Sequence, residues 1–255
     1  MTGVFDRQAW FKGGAARCSS HPTPPNQLYK LVLLGAPGVG KGTQAKLLCA
    51  RLGCCHLSTG DIFRAAGHAA DAELSPELKI ALLKMRAGDL VSDDIVVALI
   101  RARGQCLRCL RGFVLDGFPR TAGQAKALHK MLEIENVGLN AAVYYHVSPV
   151  TLMQRLSGRR TCPRCKAIFH LTSQPPQIDG LCDHCGASLV QREDDQPEAV
   201  RVRMQAYEQT IAPLLEFYRA QGLLVSVNAT SPEETFQNTL AALTKNCQPR
   251  DQRMP

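Results

Sequence analysis

A chain of 255 residues fits one large domain or two small ones, and 45% hydrophobic residues can bury a sizeable core. Charged residues at 20% argue against a disordered chain, and no apolar run approaches the roughly 18 residues of a membrane helix. The net charge of +8, from 30 Lys and Arg against 22 Asp and Glu, suits a polyanionic partner such as a nucleotide, a nucleic acid or a membrane surface. The 11 cysteines are an odd number in a long chain, which argues against a small disulfide scaffold.

Residues 1–28 lack apolar periodicity and end in a Pro-rich stretch, so a disordered extension is expected. Arg7, Lys12 and Arg17 face a single acid, Asp6, which leaves organelle targeting open; no apolar core of a secretory signal is present. From Tyr29 short apolar runs alternate with helical spacing. Leu31–Leu34, Cys54–Ser58, Phe113–Asp116, Ala142–Val147 and Leu223–Val227 read as buried strands, and Thr43–Arg51 reads as a helix. Ser75-Pro76, Ser148-Pro149 and Ser231-Pro232 each place an N-cap before a proline at the first helical position. Thr121 with Gln124, and Ser231 with Glu234, fit capping boxes. Asp195 reads as the N-cap of a helix over Pro197–Gln221. Strands alternating with helices predict an α/β fold around a parallel sheet. Residues 158–195 break the rhythm with two CxxC pairs, a Pro-Pro and several glycines, and read as an inserted module.

Gly35, Ala36, Pro37, Gly38, Val39, Gly40, Lys41, Gly42 and Thr43 match G-x-x-x-x-G-K, with Thr one place later than the usual Ser/Thr. Glycines let backbone N–H groups converge on phosphate oxygens, and the following helix adds its positive end. The motif sits between an apolar run and a helix, which separates it from an ordinary glycine turn. Lys41 then reaches the β- and γ-phosphates, and Thr43 faces Mg²⁺ through water. Such a loop names the donor class, ATP or GTP, but no acceptor.

Cys162-Pro-Arg-Cys165 and Cys182-Asp-His-Cys185 are two knuckles separated by sixteen residues, the spacing of a four-cysteine structural Zn²⁺ site. Two disulfides are the competing reading. His170 and His184 read as exposed or packing residues. Cys106 and Cys109 form a lone CxxC with no partner pair, Cys49, Cys54 and Cys55 read as small core residues, and Cys18 and Cys247 lie in tails.

GAPGVGKGTQA (35–45), STGDIFR (58–64), DGFPRT (116–121), GRR (158–160) and REDDQPEAVRVR (192–203) together resemble adenylate kinases over roughly residues 30–240. The resemblance implies a P-loop nucleoside monophosphate kinase fold: a parallel five-stranded sheet flanked by helices, with an AMP-binding arm and a zinc-bearing lid. The implied division is a core of 29–57, 92–157 and 196–243, an arm of 58–91, a lid of 158–195 and a tail of 244–255. The implied reaction is ATP + AMP ⇌ 2 ADP, with Mg²⁺ accompanying ATP. Lys41, Arg120, Arg159, Arg192 and Arg203 would be catalytic. Arg159, Ile168, Phe169 and the backbone near Ser231 would join the loop in binding ATP. AMP would meet Thr59, Arg64, Asp89, Leu90, Val91, Gly117, Phe118, Pro119, Arg120, Gln124, Arg192 and Arg203. Gln124 could hold the adenine edge or merely close the capping box, and both roles use one helix start. Asp116, ending an apolar run, would order the Mg²⁺ water shell, against the plainer reading of a turn aspartate. Phe118-Pro119 would be a cis peptide. The segment 58–91 is a few residues longer than in the family, near Gly67–Leu74.

The family is usually monomeric; the absence of a secretory signal suggests the cytoplasm, with organelle targeting by residues 1–28 left open, and neither nucleic acid nor membrane is expected as partner. Two other readings compete. One is another nucleoside monophosphate kinase or a GTP:AMP phosphotransferase; the other is a zinc-ribbon nucleic-acid-binding protein with a vestigial nucleotide fold. The lid carries Phe169 without interleaved aromatics, and six of the cations fall in the kinase-like motifs, which favours the enzyme.

Overall fold

The computed structural model describes residues 28–66, 74, 76–86, 91–101, 107 and 112–246. The expected extension up to residue 27, the insertion at 67–73, Ser75, Asp89, Leu90, Cys18, Cys106, Cys109, Cys247 and the side chain of Arg64 lie outside the described residues.

Five strands form one sheet: β1 (Tyr29–Gly35), β2 (Cys55–Ser58), β3 (Gly112–Asp116), β4 (Ala141–His146) and β7 (Leu224–Asn228). Every pairing is parallel and the order is β2-β3-β1-β4-β7. Parallel strands need crossovers, and the helices supply them. These are α1 (Lys41–Leu52), α2 (Thr59–Ala66), α3 (Pro76–Arg86), α4 (Asp93–Arg101), α5 (Ala122–Ile134), α6 (Pro149–Ser157), α7 (Pro197–Ala220) and α8 (Pro232–Asn246). A short antiparallel pair, β5 (Arg159–Thr161) with β6 (Ile168–His170), stands apart from the sheet.

The central strand shows why the sheet is buried on both faces. Leu31 and Leu33 pack on one side with Ala45 and Leu48 of α1 and Leu243 of α8. Val32 and Leu34 pack on the other with Leu128 of α5 and Leu214 and Tyr218 of α7. Each fully buried leucine stabilises the fold by about 2 kcal/mol relative to exposure. This two-sided burial is why the strand reads as a continuous apolar run rather than an alternating one. A smaller cluster, Ile62, Ala66, Leu78, Leu82 and Leu99, joins α2, α3 and α4. The 158–195 module has a small apolar cluster of its own, in which Cys162, Phe169 and Cys182 are buried.

The expected strands are all present, each within two residues of its expected ends. Ser148 Oγ accepts from the Thr151 amide at 3.2 Å, Thr121 Oγ1 from Gln124 at 3.1 Å and Ser231 Oγ from Glu234 at 3.3 Å, so those three caps form as expected. Three expectations need correction. Helix α1 starts at Lys41, two residues before Thr43, because Gly40 in the left-handed region serves as its N-cap. Helix α8 runs to Asn246, into the span expected to be tail. Asp195 does not cap α7: Gln196 takes that position, and the Asp195 carboxylate is drawn inward by an arginine instead.

Candidate active site

The carboxyl ends of β1, β2, β3 and β7 meet at one edge of the sheet. Strands β1 and β4 are neighbours there, and their connections leave in opposite directions, which opens a crevice at the strand ends. The loop 35–43 sits in it. Gly40 has φ of 108°, and a Cβ there would meet nothing within 4 Å, so the loop curls around open space of the kind a phosphate would fill. Lys41 Nζ donates to the carbonyls of Gly35 (2.7 Å) and Ala36 (3.0 Å), folding back over its own loop. Burial lowers its pKa from 10.5 to about 8; Asp116 opposes the shift, and the charges of Arg120, Arg203 and Arg159 add to it. Three arginines from distant parts of the chain thus bear on one ammonium.

Asp116 ends β3, and its Oδ2 lies 3.4 Å from where a Cβ on Gly42 would stand, facing the start of α1 where Thr43 follows. His56 Nε2 approaches the same oxygen at 3.4 Å. Thr59, at the end of β2, is buried, and its hydroxyl has no hydrogen-bond partner among the described residues. An orphaned buried hydroxyl beside Gly117 is what a bound polar ligand would satisfy.

Phe118–Pro119 is cis and both residues are buried. Arg120 Nε donates to the Gly117 carbonyl at 2.8 Å while its side chain stays exposed. Gln124 departs from an ordinary capping box. Its Oε1 accepts from the Arg120 amide at 2.7 Å rather than from that of the cap residue, Thr121. Its Nε2 donates to Asp93 Oδ1 at 2.6 Å, and Thr121 Oγ1 donates to Asp93 Oδ2 at 2.7 Å. One N–H and one lone pair of the amide remain for a base. Asp93 thereby ties the start of α4 to the start of α5.

On the opposite side, Arg159 grips both carboxylate oxygens of Asp195 through the Nε–Nη2 edge of its guanidinium, with Nε to Oδ2 at 2.7 Å, and the Asp195 side chain is fully buried. Arg203 lies 3.8 Å from the same carboxylate and 3.1 Å from Asp194. One buried carboxylate therefore holds both cations. Arg192 Nε donates to Thr161 Oγ1 at 3.0 Å, fastening α7's approach to β5. Phe169 is 4% exposed and packs on Cys162 and Cys182, so its ring serves the module's interior. Ile168 is half-buried, and Val91 is half-buried against the core cluster on the Val32 and Leu34 face of the sheet.

The four cysteine sulfurs of the module all lie within 4.8 Å of one another. Cys162 and Cys185 approach to 3.4 Å, as do Cys165 and Cys182. A tetrahedron of thiolates at about 2.3 Å from Zn²⁺ needs sulfur–sulfur edges of about 3.8 Å, so the set fits that ion. Both knuckles fold alike. The Cys162 carbonyl accepts from Lys166 and the Cys182 carbonyl from Gly186, and both donors sit at positive φ, 61° and 69°. Burial pushes the Cys162 thiol up, but hydrogen bonds from the Cys165 amide and the Cys185 thiol outweigh it and bring the pKa down to about 6, while burial pushes Cys165 up to about 12, so the thiolate is favoured at Cys162.

The family model for adenylate kinase matches residues 33–223. The chain is 42% identical over 216 residues to an adenylate kinase of Lachnospira eligens, an alignment covering 85% of this chain and 98% of that one. It is 45% identical over 217 residues to that of Acidothermus cellulolyticus, covering 84% and 97%. For Carboxydothermus hydrogenoformans the figures are 42% over 220 residues, covering 85% and 100%. The chain belongs to the adenylate kinase family. As an adenylate kinase it is a phosphotransferase that interconverts ATP plus AMP with two ADP.

Three side chains of this adenylate kinase escaped the reading of its motifs. Arg155 donates to the carbonyls of Val39 (3.0 Å), Ala229 (3.1 Å) and Thr230 (2.6 Å), joining the phosphate loop to the turn before α8. Asp93 and His56 are the others. Asp93 signals itself only as an acid in a helix first turn, and His56 as a polar residue in an apolar strand; Arg155 gives no local signal.

Proposed function

We propose that the crevice holds ATP over the 35–43 loop and AMP on the Thr59–Arg64 and Gly117–Gln124 side, with the phosphate chains meeting at Lys41. What carries this reading is the electrostatic convergence of Arg120, Arg159 and Arg203 on Lys41. Two polyphosphates repel each other, and phosphoryl transfer asks the protein chiefly for position and counter-charge. Lys41 leaves its loop carbonyls for the β- and γ-phosphates. Arg120 and Arg64 take the AMP phosphate. Arg159, Arg192 and Arg203 surround the transferring group, with planar forks that grip its oxygens two at a time. Asp195 stores two of these cations until phosphate replaces it. Thr59 and the free edge of Gln124, with Asp89, Leu90, Val91, Phe118 and Pro119, shape the AMP pocket. Ile168 and the backbone near Ser231 flank the donor base. Asp116 and Thr43 would hold the water shell of the Mg²⁺ that accompanies ATP and neutralises its phosphates.

In this reading residues 158–195 are a lid over the donor and 58–91 an arm around the acceptor, with the closure known for adenylate kinases excluding water. Cys162, Cys165, Cys182 and Cys185 would hold a structural Zn²⁺, supplying the folding energy that the three-residue interior lacks. The protein acts as a cytoplasmic monomer, with no nucleic acid partner. No described helix is long and apolar enough to cross a membrane.

The test is a coupled assay of diphosphate formation with AMP, UMP, CMP and GMP as acceptors and ATP and GTP as donors. ATP with AMP should exceed every other pair in kcat/KM. A higher value for GTP, or for another acceptor, would reassign the base pockets.

A further inference from the structure

We propose that His170 is a positioning residue that latches the base of the lid to the core, setting the pitch at which Arg159 is delivered to the donor phosphates. The inference rests on the reading of 158–195 as the lid. His170 lies outside the motifs quoted above.

The ring occupies the junction where α6 passes into the module. His170 Nε2 lies 3.1 Å from the Gln154 carbonyl in the last turn of α6. Nδ1 lies 3.2 Å from the backbone nitrogens of Thr172 and Ser173 and 3.2 Å from Thr172 Oγ1. A backbone N–H can only donate, so Nδ1 is the acceptor and carries no proton. The neutral ring then keeps its proton on Nε2, which donates to Gln154. One side chain therefore joins a core helix to the turn that follows β6.

The same ring lies on the backbone that must bend. A Cβ at Gly158 would stand 2.4 Å from His170 Nε2 and 2.5 Å from Cε1. Arg159 follows directly, and it is the residue paired with His170 across β5 and β6. The Leu171 amide donates to the Gly158 carbonyl at 2.9 Å, closing the corner from the other side. The direction in which Arg159 leaves the core is thus fixed by a ring seated on the preceding α-carbon. Gly158 has φ of −82°, which any residue adopts, so an alanine there strains no backbone and acts only by pushing on the ring.

The test uses the full-length, zinc-loaded chain. KM for ATP and for AMP, kcat and zinc content are measured for wild type, His170→Ala, His170→Gln, His170→Asn, Gly158→Ala and the His170→Ala/Gly158→Ala double variant. Hydrogen exchange across 158–195 is followed with and without a non-hydrolysable ATP analogue. Losing the latch should raise KM for ATP about fivefold, the worth of one hydrogen bond, with KM for AMP and zinc content unchanged. Glutamine, whose amide can still reach Gln154, should restore KM; asparagine, which keeps only the acceptor facing the turn, should not. Gly158→Ala should mimic His170→Ala, and the double variant should add nothing further. Equal changes in both KM values, no change in either, loss of zinc in His170→Ala, or equal behaviour of Gln and Asn would overturn the latch. If the analogue fails to protect 158–195 in wild type, the lid reading itself falls, and the latch with it.

Discussion

The sheet and the cysteine module meet the same cluster of cations but are held together by different physics. Around β1, four consecutive leucine and valine side chains are buried on two faces, and both faces are covered by helices. In the module the buried apolar cluster is three residues, two of them cysteines, and the strands are three residues each. The sheet can hold the phosphate loop at one place because burial fixes its strands. The module has a far smaller apolar interior to fix it in place, which suits the mobile lid proposed for it. In the proposed reading that contrast gives rigid support for Lys41 and a mobile carrier for Arg159.

The contrast can be broken at several points. The largest effect is expected at the rigid side: Lys41→Ala should lower kcat by about 10³-fold, the scale of removing a preorganised donor, with little change in melting temperature. A rate near wild type would remove the loop from the chemistry. Leu33→Ala should cost about 3 kcal/mol of stability in denaturant unfolding, without loss of zinc, because its cavity opens in the sheet and not in the module. Zinc lost along with it would mean that the two regions fold as one.

Acidity probes the meeting point of the two regions. The Lys41 pKa of about 8 reflects an ammonium disfavoured by burial in the free site. Bound phosphate restores the charge, so binding takes up a proton above that pH. ATP affinity by calorimetry should be full below about pH 8 and fall by up to about tenfold per unit above it. Lys41→Arg should remove the dependence; a dependence that persists in Lys41→Arg would place the titration elsewhere. The smallest effect is expected at Asp93→Asn, where one of two acceptors becomes a donor facing Thr121 or Gln124. KM for AMP should rise about fivefold with KM for ATP unchanged, and the reverse pattern would misplace the acceptor site.

The two regions were also legible in the chain to different degrees. The strands and the caps at Thr121, Ser148 and Ser231 follow from local patterns because each rests on residues adjacent in sequence. The four cysteines were legible because ligand spacing is itself a geometric statement. What stayed hidden was long-range. The fate of Asp195 depends on Arg159, 36 positions away, and an acid before a proline reads as a cap until that partner is known. The burial of Phe169 between the two knuckles likewise depends on cysteines on both sides of it in the chain. Arg155 reaches carbonyls up to 116 positions away, and Gln124 is shared with Asp93, 31 positions upstream. Such contacts are made by the fold, and no window of sequence contains both partners.

The most direct test of the account is residue-resolved amide exchange on the full chain, with zinc and after complete chelation. Removing zinc should erase protection within residues 158–195 while β1, β3 and β4 keep theirs. Unchanged protection in the module, or its loss throughout the sheet, would contradict a metal-held lid on a core held by burial.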